Sequence, residues 1–238
     1  MSILPQPSAL RRLAARCLDS LLPGSCLLCA EDATGSPLCT GCQTDLPWLH
    51  GPHCPRCALP TTHGEQCGAC LVRPPAFTAT HALFHYEFPV DRLIQAFKYG
   101  HRLSLAPWLA RQLAERIDPA GYDCIMPLPL HPTRLTERGF NQSAEISRRL
   151  ARYWHMAHDP DSLVRERPTL PQTGLAREAR QDNVRRAFAC QRGRHGLRIL
   201  LIDDVMTSGA TLDAAARALL QGGAARVEIA VAARAFKD

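Results

Sequence analysis

"RILLIDDVMTSGATL", residues 198–212, is the stretch from which the fold of this chain can be read. An apolar run, Ile199 to Ile202, ends on two adjacent carboxylates, Asp203 and Asp204, and Thr207-Ser208-Gly209-Ala210-Thr211 follows almost at once. A short apolar run without alternation, bounded by turn residues, is the pattern of a strand buried on both faces. The spacing predicts a strand over 197–202, a loop over 203–211 and a helix near 211–221 stopped by Gly222 and Gly223. "RVEIAVAA" then reads as a further buried strand.

Upstream, "DCIMPLPL", residues 123–130, is another apolar β-type run. After it come a Pro-interrupted turn with Arg134, Arg138 and Gly139, and a helix from about Asn141 to Trp154. Strand, helix, strand, helix, strand predicts an α/β domain with a largely parallel sheet flanked by helices. Ligands of such sheets sit at the carboxyl ends of the strands, where both loops fall. Thr207, Ser208 and Thr211 offer hydroxyl donors, Gly209 lets the backbone approach, and free amides at a helix start favour a phosphate. Asp203 and Asp204 have the wrong sign for that phosphate, but carboxylates accept hydrogen bonds from vicinal hydroxyls. A ribose 5-phosphate unit is the simplest ligand meeting both demands. A Mg²⁺ pair or a phosphorylatable receiver Asp is the alternative, and the Thr/Ser-rich loop speaks for phosphate already on the ligand.

Eleven cysteines suggest a disulfide scaffold, but the odd count and the lack of a secretory apolar core argue against one. Eight form four pairs of one type: Cys26 with Cys29, Cys39 with Cys42, Cys54 with Cys57, and Cys67 with Cys70. The nine-residue gap in "CLLCAEDATGSPLC" recurs in "CPRCALPTTHGEQC", an internal repeat of one zinc ribbon each. Two thiolates on a tight turn supply half of a tetrahedral shell, so two structural zinc ions per chain are expected. The spacing leaves sequential and interleaved pairing of the knuckles open. A redox dithiol is disfavoured because such centres come singly beside a strand-helix unit. Cys17, Cys124 and Cys190 remain as packing residues.

With 238 residues, 46% of them apolar, the chain can bury a full core, and no apolar run approaches the roughly 20 residues of a membrane span. Three domains are expected: an amphipathic helix over 1–25, the double ribbon over 26–75, and the α/β domain over 76–238, with the boundary at "VRPPAF". Residues 1–75 are charge-balanced, so the net +6 belongs to the remainder. From His131 to Arg198 there are fourteen Arg, no Lys and seven acids. Arg148, Arg149 and Arg152 read as a solvated helix face, whereas Arg134, Arg138, Arg180, Arg185 and Arg186 are candidates for an anionic ligand. Residues 165–190, rich in Arg, Gln, Asn and Gly, read as a mobile loop. Lys98 in "FKYG" stands evenly between a site residue and a plain surface Lys.

"LLIDDVMTSGAT" resembles the phosphoribosyl pyrophosphate motif of type I phosphoribosyltransferases. The resemblance implies that Asp203 and Asp204 hold the ribose 2′- and 3′-hydroxyls and that Thr207, Ser208, Gly209, Ala210 and Thr211 hold the 5-phosphate. It implies a pyrophosphate loop with Arg134, Arg138 and Gly139, and a closing loop with Gln172, Arg180 and Asn183. Catalysis would rest on Asp203, Asp204 and Arg138. Two ribbons, "AFKYGHR", "PLPLHPTRLTERGFNQ", "PQTGLAREARQDNVRRAF" and the sugar-phosphate motif, in that order, are similar from end to end to the competence protein F (ComF) family. That family implies a cytoplasmic bacterial protein tied to DNA uptake or use of DNA as nutrient, with single-stranded DNA and a competence helicase as partners. In an enzyme, pyrophosphate would leave C1′ through an oxocarbenium-like state, with Mg²⁺ and Arg side chains taking up the charge. The acceptor is unassigned. The alternative is a DNA-handling adaptor or sensor that keeps the sugar-phosphate site. DNA would meet the Arg-rich 131–198 region, while the ribbons, net negative once metallated, would dock protein.

Overall fold

The computed structural model describes residues 24–166 and 187–236, and the chain divides into two compact units, Met1–Leu46 and Pro47–Asp238. In the first unit, the described residues form the first ribbon, with a short helix, Thr40–Thr44. Cys39 caps that helix, its Sγ accepting from the Cys42 amide at 3.4 Å. The helix expected over 1–25 falls almost wholly outside the described residues.

The second unit opens with the second knuckle and the short helix Gly68–Val72. An α/β body follows: β1 (Thr80–His85), α1 (Val90–Tyr99), α2 (Leu105–Ala114), β2 (Cys124–Pro127), α3 (Pro132–Arg138), α4 (Gln142–Trp154) and β3 (Ala157–His158) come first. Then come β4 (Leu163–Arg165), β5 (Phe188–Cys190), β6 (Arg198–Met206), α5 (Ala210–Gln221) and β7 (Arg226–Arg234). The main sheet has the order β1-β7-β6-β2-β3 with every pairing parallel, and β4 and β5 form a separate antiparallel pair. The largely parallel α/β sheet expected from the apolar runs is present.

Three differences matter. The ends of the segment read as a loop over 165–190 are paired strand instead, Arg165 standing opposite Phe188 in the β4–β5 ladder. The strand read as 197–202 continues through Asp203 and Asp204 to Met206, because its ladder with β7 runs on as far as Met206 opposite Arg234. The Pro-interrupted turn is instead the helix α3, since a proline in the first turn sacrifices no helical hydrogen bond and has its φ already set. His131 caps it, Nδ1 accepting from the Thr133 amide at 3.3 Å, and Gly139 ends it at φ +74°.

The topology positions the site. β2 leads outward to β3 and β6 leads the other way to β7, so the chain leaves two neighbouring strands in opposite directions. Right-handed crossovers then put their helices on opposite faces and open a crevice at the carboxyl ends of β2 and β6. On one face Leu212, Ala215 and Leu219 of α5 are buried with Ile199 and Leu201 of β6 and Val227, Ile229 and Val231 of β7. On the other face α4 packs on β2, β6 and α2. Its amphipathic sequence buries Ile146, Ser147, Leu150 and Ala151, while Arg148 and Arg149 pair with Glu145 on the solvated side, as read from the sequence.

Candidate functional site

The end of β6 lies in a cleft of about 300 Å³ lined by Lys98, Arg134, Arg138, Ser143, Arg165, Asp203, Asp204 and Thr207 to Thr211. Adjacent strand residues point to opposite faces, and the two carboxylates accordingly have different partners. Asp203 Oδ1 accepts from Ser143 Oγ at 2.9 Å and from the Asp204 amide at 2.9 Å. Asp204 is buried, and its Oδ1 lies 2.9 Å from Lys98 Nζ. Burial first and the neighbouring Asp204 carboxylate second push Asp203 up to about 7, against the pull of the Asp204 amide, Lys98 and Ser143. Lys98 projects from the last turn of α1, whose buried face is Val90, Leu93, Ile94 and Phe97.

The phosphate-type loop follows. Gly209 stands at φ +77° as the residue before α5, and a Cβ there would meet Met206 Cε at 2.6 Å, so only glycine closes this turn without displacement. Thr207 and Ser208 are exposed, and the Ala210 amide donates to Ser208 Oγ at 3.4 Å. The first amides of α5 therefore face an anion-favouring helix start. Arg234, at the end of β7 and 4% exposed, donates to the carbonyls of Met206 at 3.1 Å and of Thr207.

Arg134, Arg138 and Arg165 bring positive charge to the same lining. Arg138 donates to Gln142 Oε1 and to the Tyr99 hydroxyl, each at 3.3 Å, and lies over the Tyr99 ring at 5.2 Å. A second hollow of about 330 Å³ adjoins it, lined by Lys98, Tyr99, His101, Arg134, Glu137 and Arg138. Arg165, at the end of β4, lines the cleft and lies 5.5 Å from the Phe188 ring. One small cleft is thus lined by hydroxyl-accepting carboxylates, an anion-favouring helix start and three guanidinium groups. It can take a polyol phosphate bearing a further anionic group.

The structure brings Asp203, Asp204, Thr207 to Thr211, Arg134 and Arg138 to one cleft, and sets Gly139 at the cap of α3. Gln172, Arg180 and Asn183 lie outside the described residues. Nothing local in the sequence marks Ser143 or Arg165, and Lys98 stands there evenly between a site residue and a surface Lys. The pattern that could have raised Lys98 is a cation in the last turn of α1, beside its buried stripe and just before the helix-ending Gly100.

Two cysteine clusters complete the inventory among the described residues. Cys26, Cys29, Cys39 and Cys42 have all their sulfurs within 4.8 Å of one another, and so do Cys54, Cys57, Cys67 and Cys70. The pairing is sequential, one cluster per repeat. Cys29 and Cys39 Sγ are 3.6 Å apart, as are Cys57 and Cys67 Sγ. A zinc tetrathiolate with ~2.3 Å bonds has an S···S edge of about 3.8 Å. Burial pushes the Cys26 thiol up, but backbone N–H groups of Cys29, Cys39 and Leu28 outweigh it and hold the thiol down to about 6. Cys54 is held down to about 7 in the same way, by Cys67, Cys57 and Arg56 against burial. Burial and neighbouring sulfurs push Cys57 and Cys70 up instead, so it is the four sulfurs at tetrahedral spacing in each cluster that fit zinc. Such closed sites are structural. Cys124 is buried, as a packing residue would be, and Cys17 lies outside the described residues.

Residues 17–71 match the double zinc ribbon domain family, and residues 140–237 match the phosphoribosyl transferase domain family. The chain is 33% identical over 222 residues to DNA utilization protein YhgH of Escherichia coli K12, covering 87% of this chain and 96% of that one. It is 29% identical over 209 residues to competence protein F of Haemophilus influenzae, covering 83% and 90%. Among solved structures, the glutamine phosphoribosylpyrophosphate amidotransferase of B. subtilis has a TM-score of 0.42 and 19% identity, covering 58% of this chain and 30% of that longer chain. Among the described residues, no helix is long and apolar enough to cross a membrane.

Proposed function

The chain belongs to the family of competence protein F and DNA utilization protein YhgH, and from that premise we propose that its phosphoribosyl transferase domain binds phosphoribosyl pyrophosphate and transfers the ribosyl phosphate to a nitrogenous acceptor. One observation carries the reading: the carboxylates of Asp203 and Asp204 and the loop Thr207 to Thr211 line the same cleft from one strand end. Asp203, held by Ser143, and Asp204, held by Lys98, accept from the ribose 2′- and 3′-hydroxyls. Thr207, Ser208, Gly209, Ala210 and Thr211 take the 5-phosphate.

Arg134, Arg138 and Arg165 line the same cleft and take the pyrophosphate. In the reaction the C1′–O bond breaks, its electron pair leaves with pyrophosphate, and a C1′–N bond forms to the acceptor. Arg138, fixed by Gln142 and Tyr99, stabilises the departing charge. Magnesium bound with the substrate would neutralise part of the diphosphate charge. The names of the relatives support a role for this chemistry in DNA use or competence, where single-stranded DNA would meet the Arg-rich surface of residues 131–198.

The experiment is calorimetric binding of phosphoribosyl pyrophosphate, followed by pyrophosphate release across a panel of nitrogenous acceptors. Asp203→Asn/Asp204→Asn is expected to lower affinity and turnover at least 100-fold, which corresponds to about 2.7 kcal/mol. Turnover that survives the double change would discard the site. Binding without turnover on every acceptor would favour the sensor or adaptor reading instead.

A further inference from the structure

Arg234 is the last residue of β7, and its guanidinium is buried between two segments far apart in sequence. Nε donates to the carbonyl of Cys57 at 2.8 Å, and Cys57 is one of the four clustered sulfurs of the second ribbon. Nη1 donates to the carbonyls of Met206, Thr207 and Ala235. The Ala235 amide also donates to the Met206 carbonyl at 2.9 Å. One side chain therefore joins the second knuckle to the first residues of the phosphate-type loop.

Other bonds fix the same knuckle to the sheet. Thr80 Oγ1 donates to the Arg56 carbonyl at 2.5 Å, and the Thr80 amide donates to the Pro55 carbonyl at 3.1 Å. Arg56 reaches the carbonyls of Pro75 at 3.2 Å and Phe77 at 3.4 Å. The Phe77 ring then lies close to Gly209, where a Cβ would stand 3.8 Å from it. A zinc tetrathiolate carries a net charge of −2, a counter-charge for a guanidinium whose remaining partners are neutral, carbonyls and the Phe236 ring at 5.6 Å. A lysine could not replace it, because a point charge cannot span the knuckle and the loop as a planar fork does.

We propose that Arg234 is a positioning residue through which the second zinc ribbon sets the geometry of the sugar-phosphate loop, so that zinc in this ribbon controls affinity for the 5-phosphate. The proposal rests on the reading of Thr207 to Thr211 as the 5-phosphate loop. It assigns the second ribbon a task inside the α/β body, distinct from any docking of partners.

The test uses the full chain with its zinc. Arg234→Gln is assayed for zinc content, for binding of ribose 5-phosphate and, separately, for binding of inorganic pyrophosphate. The expected result is zinc still at two per chain, ribose 5-phosphate affinity lowered at least tenfold, and pyrophosphate affinity within twofold. A purely structural role would lower both affinities together. Ribose 5-phosphate affinity within twofold of the unaltered protein would overturn the proposal. Should the unaltered protein bind no ribose 5-phosphate, the reading of the loop fails and the relay is judged by hydrogen exchange instead.

Chelating zinc from the unaltered protein is expected to speed exchange of the Thr207, Ser208 and Gly209 amides at least tenfold more than that of the Cys124 to Pro127 strand. Uniform acceleration, or none at the loop, would overturn the proposal. The same measurement decides the case if Arg234→Gln does not fold.

Discussion

The two ribbons share the backbone bonds of their first cysteine turn. In the first, the Cys26 amide donates to the Glu31 carbonyl at 2.7 Å and the Ala30 amide to the Cys26 carbonyl at 3.0 Å; in the second, the Cys54 amide donates to Leu59 at 2.7 Å and Ala58 to Cys54 at 2.8 Å. Ala30 and Ala58 both take a positive φ, 65° and 56°. Yet the first belongs to the unit ending at Leu46, while the second is built into the α/β body through Thr80, Arg234 and the Ala76 amide, which donates to Asp213 at 2.6 Å. A repeat in the sequence fixes the knuckle; residues some 20 to 180 positions away decide what the knuckle supports.

The largest expected separation of the two is in metal loss. Structural zinc contributes an apparent ~10–16 kcal/mol in small domains. Cys54→Ser should lose one zinc and lower the melting temperature of the α/β body by about 10 °C or more. Cys26→Ser should lose one zinc and shift that transition by less than about 2 °C. Equal shifts in calorimetry would abolish the distinction.

Next in size is Gly209→Ala, in the loop that the second ribbon braces. Its φ of +77° and the clash with Met206 predict a loss of about 1–2 kcal/mol and a weakened hold on ribose 5-phosphate. Denaturant titration and binding should fall together; an unchanged affinity would detach the turn from the ligand.

Thr80→Val keeps the shape and removes the hydroxyl that meets the Arg56 carbonyl. It should cost about 1–3 kcal/mol while zinc stays at two per chain. A smaller cost would mean that this knuckle is held mainly by Arg234.

The acid end of the cleft is the internal reference, because the partners of Asp203 are Ser143 and the Asp204 amide rather than a ribbon. Its folded pKa, raised to about 7 from 3.8, means that the folded chain holds a proton which the unfolded chain would release. That contribution to stability is full below about 4 and fades as pH rises through about 7. Hydroxyl acceptance runs the opposite way, gaining as the carboxyl ionises. Affinity for ribose 5-phosphate should therefore rise by a few-fold from about pH 6 to about pH 8, relative to Asp203→Asn. Parallel profiles for the two proteins would remove Asp203 from hydroxyl binding.

How much of this was legible in the sequence follows from the range of each interaction. Ile199 to Ile202 and "RVEIAVAA" announce buried parallel strands because a strand covered on both faces needs no polar alternation. The cysteines announce zinc because both halves of each shell are local. The α3 helix was missed because Pro132 reads as a breaker when counted as interior, and as a starter only once the helix boundary is known. Lys98, Ser143, Arg165 and Arg234 come from four separate elements, and nothing local marks them as neighbours of one strand end. Only the divergence of the chain from the neighbouring strands β2 and β6, at the sheet's switch point, assembles them.

The extension of β6 through Asp203 and Asp204 has one more consequence. β6 is paired on both sides, to β2 as far as Ile202 and to β7 as far as Met206, so the spacing of the two acids and the distance to Thr207 are set by backbone ladders. The instrument that measures the ligand is the sheet itself, graduated at ~3.3 Å per residue. A changed side chain loses one mark on that scale. An inserted or deleted residue in β6 would displace the zero, moving one acid to the other's place and taking the second off its own partner.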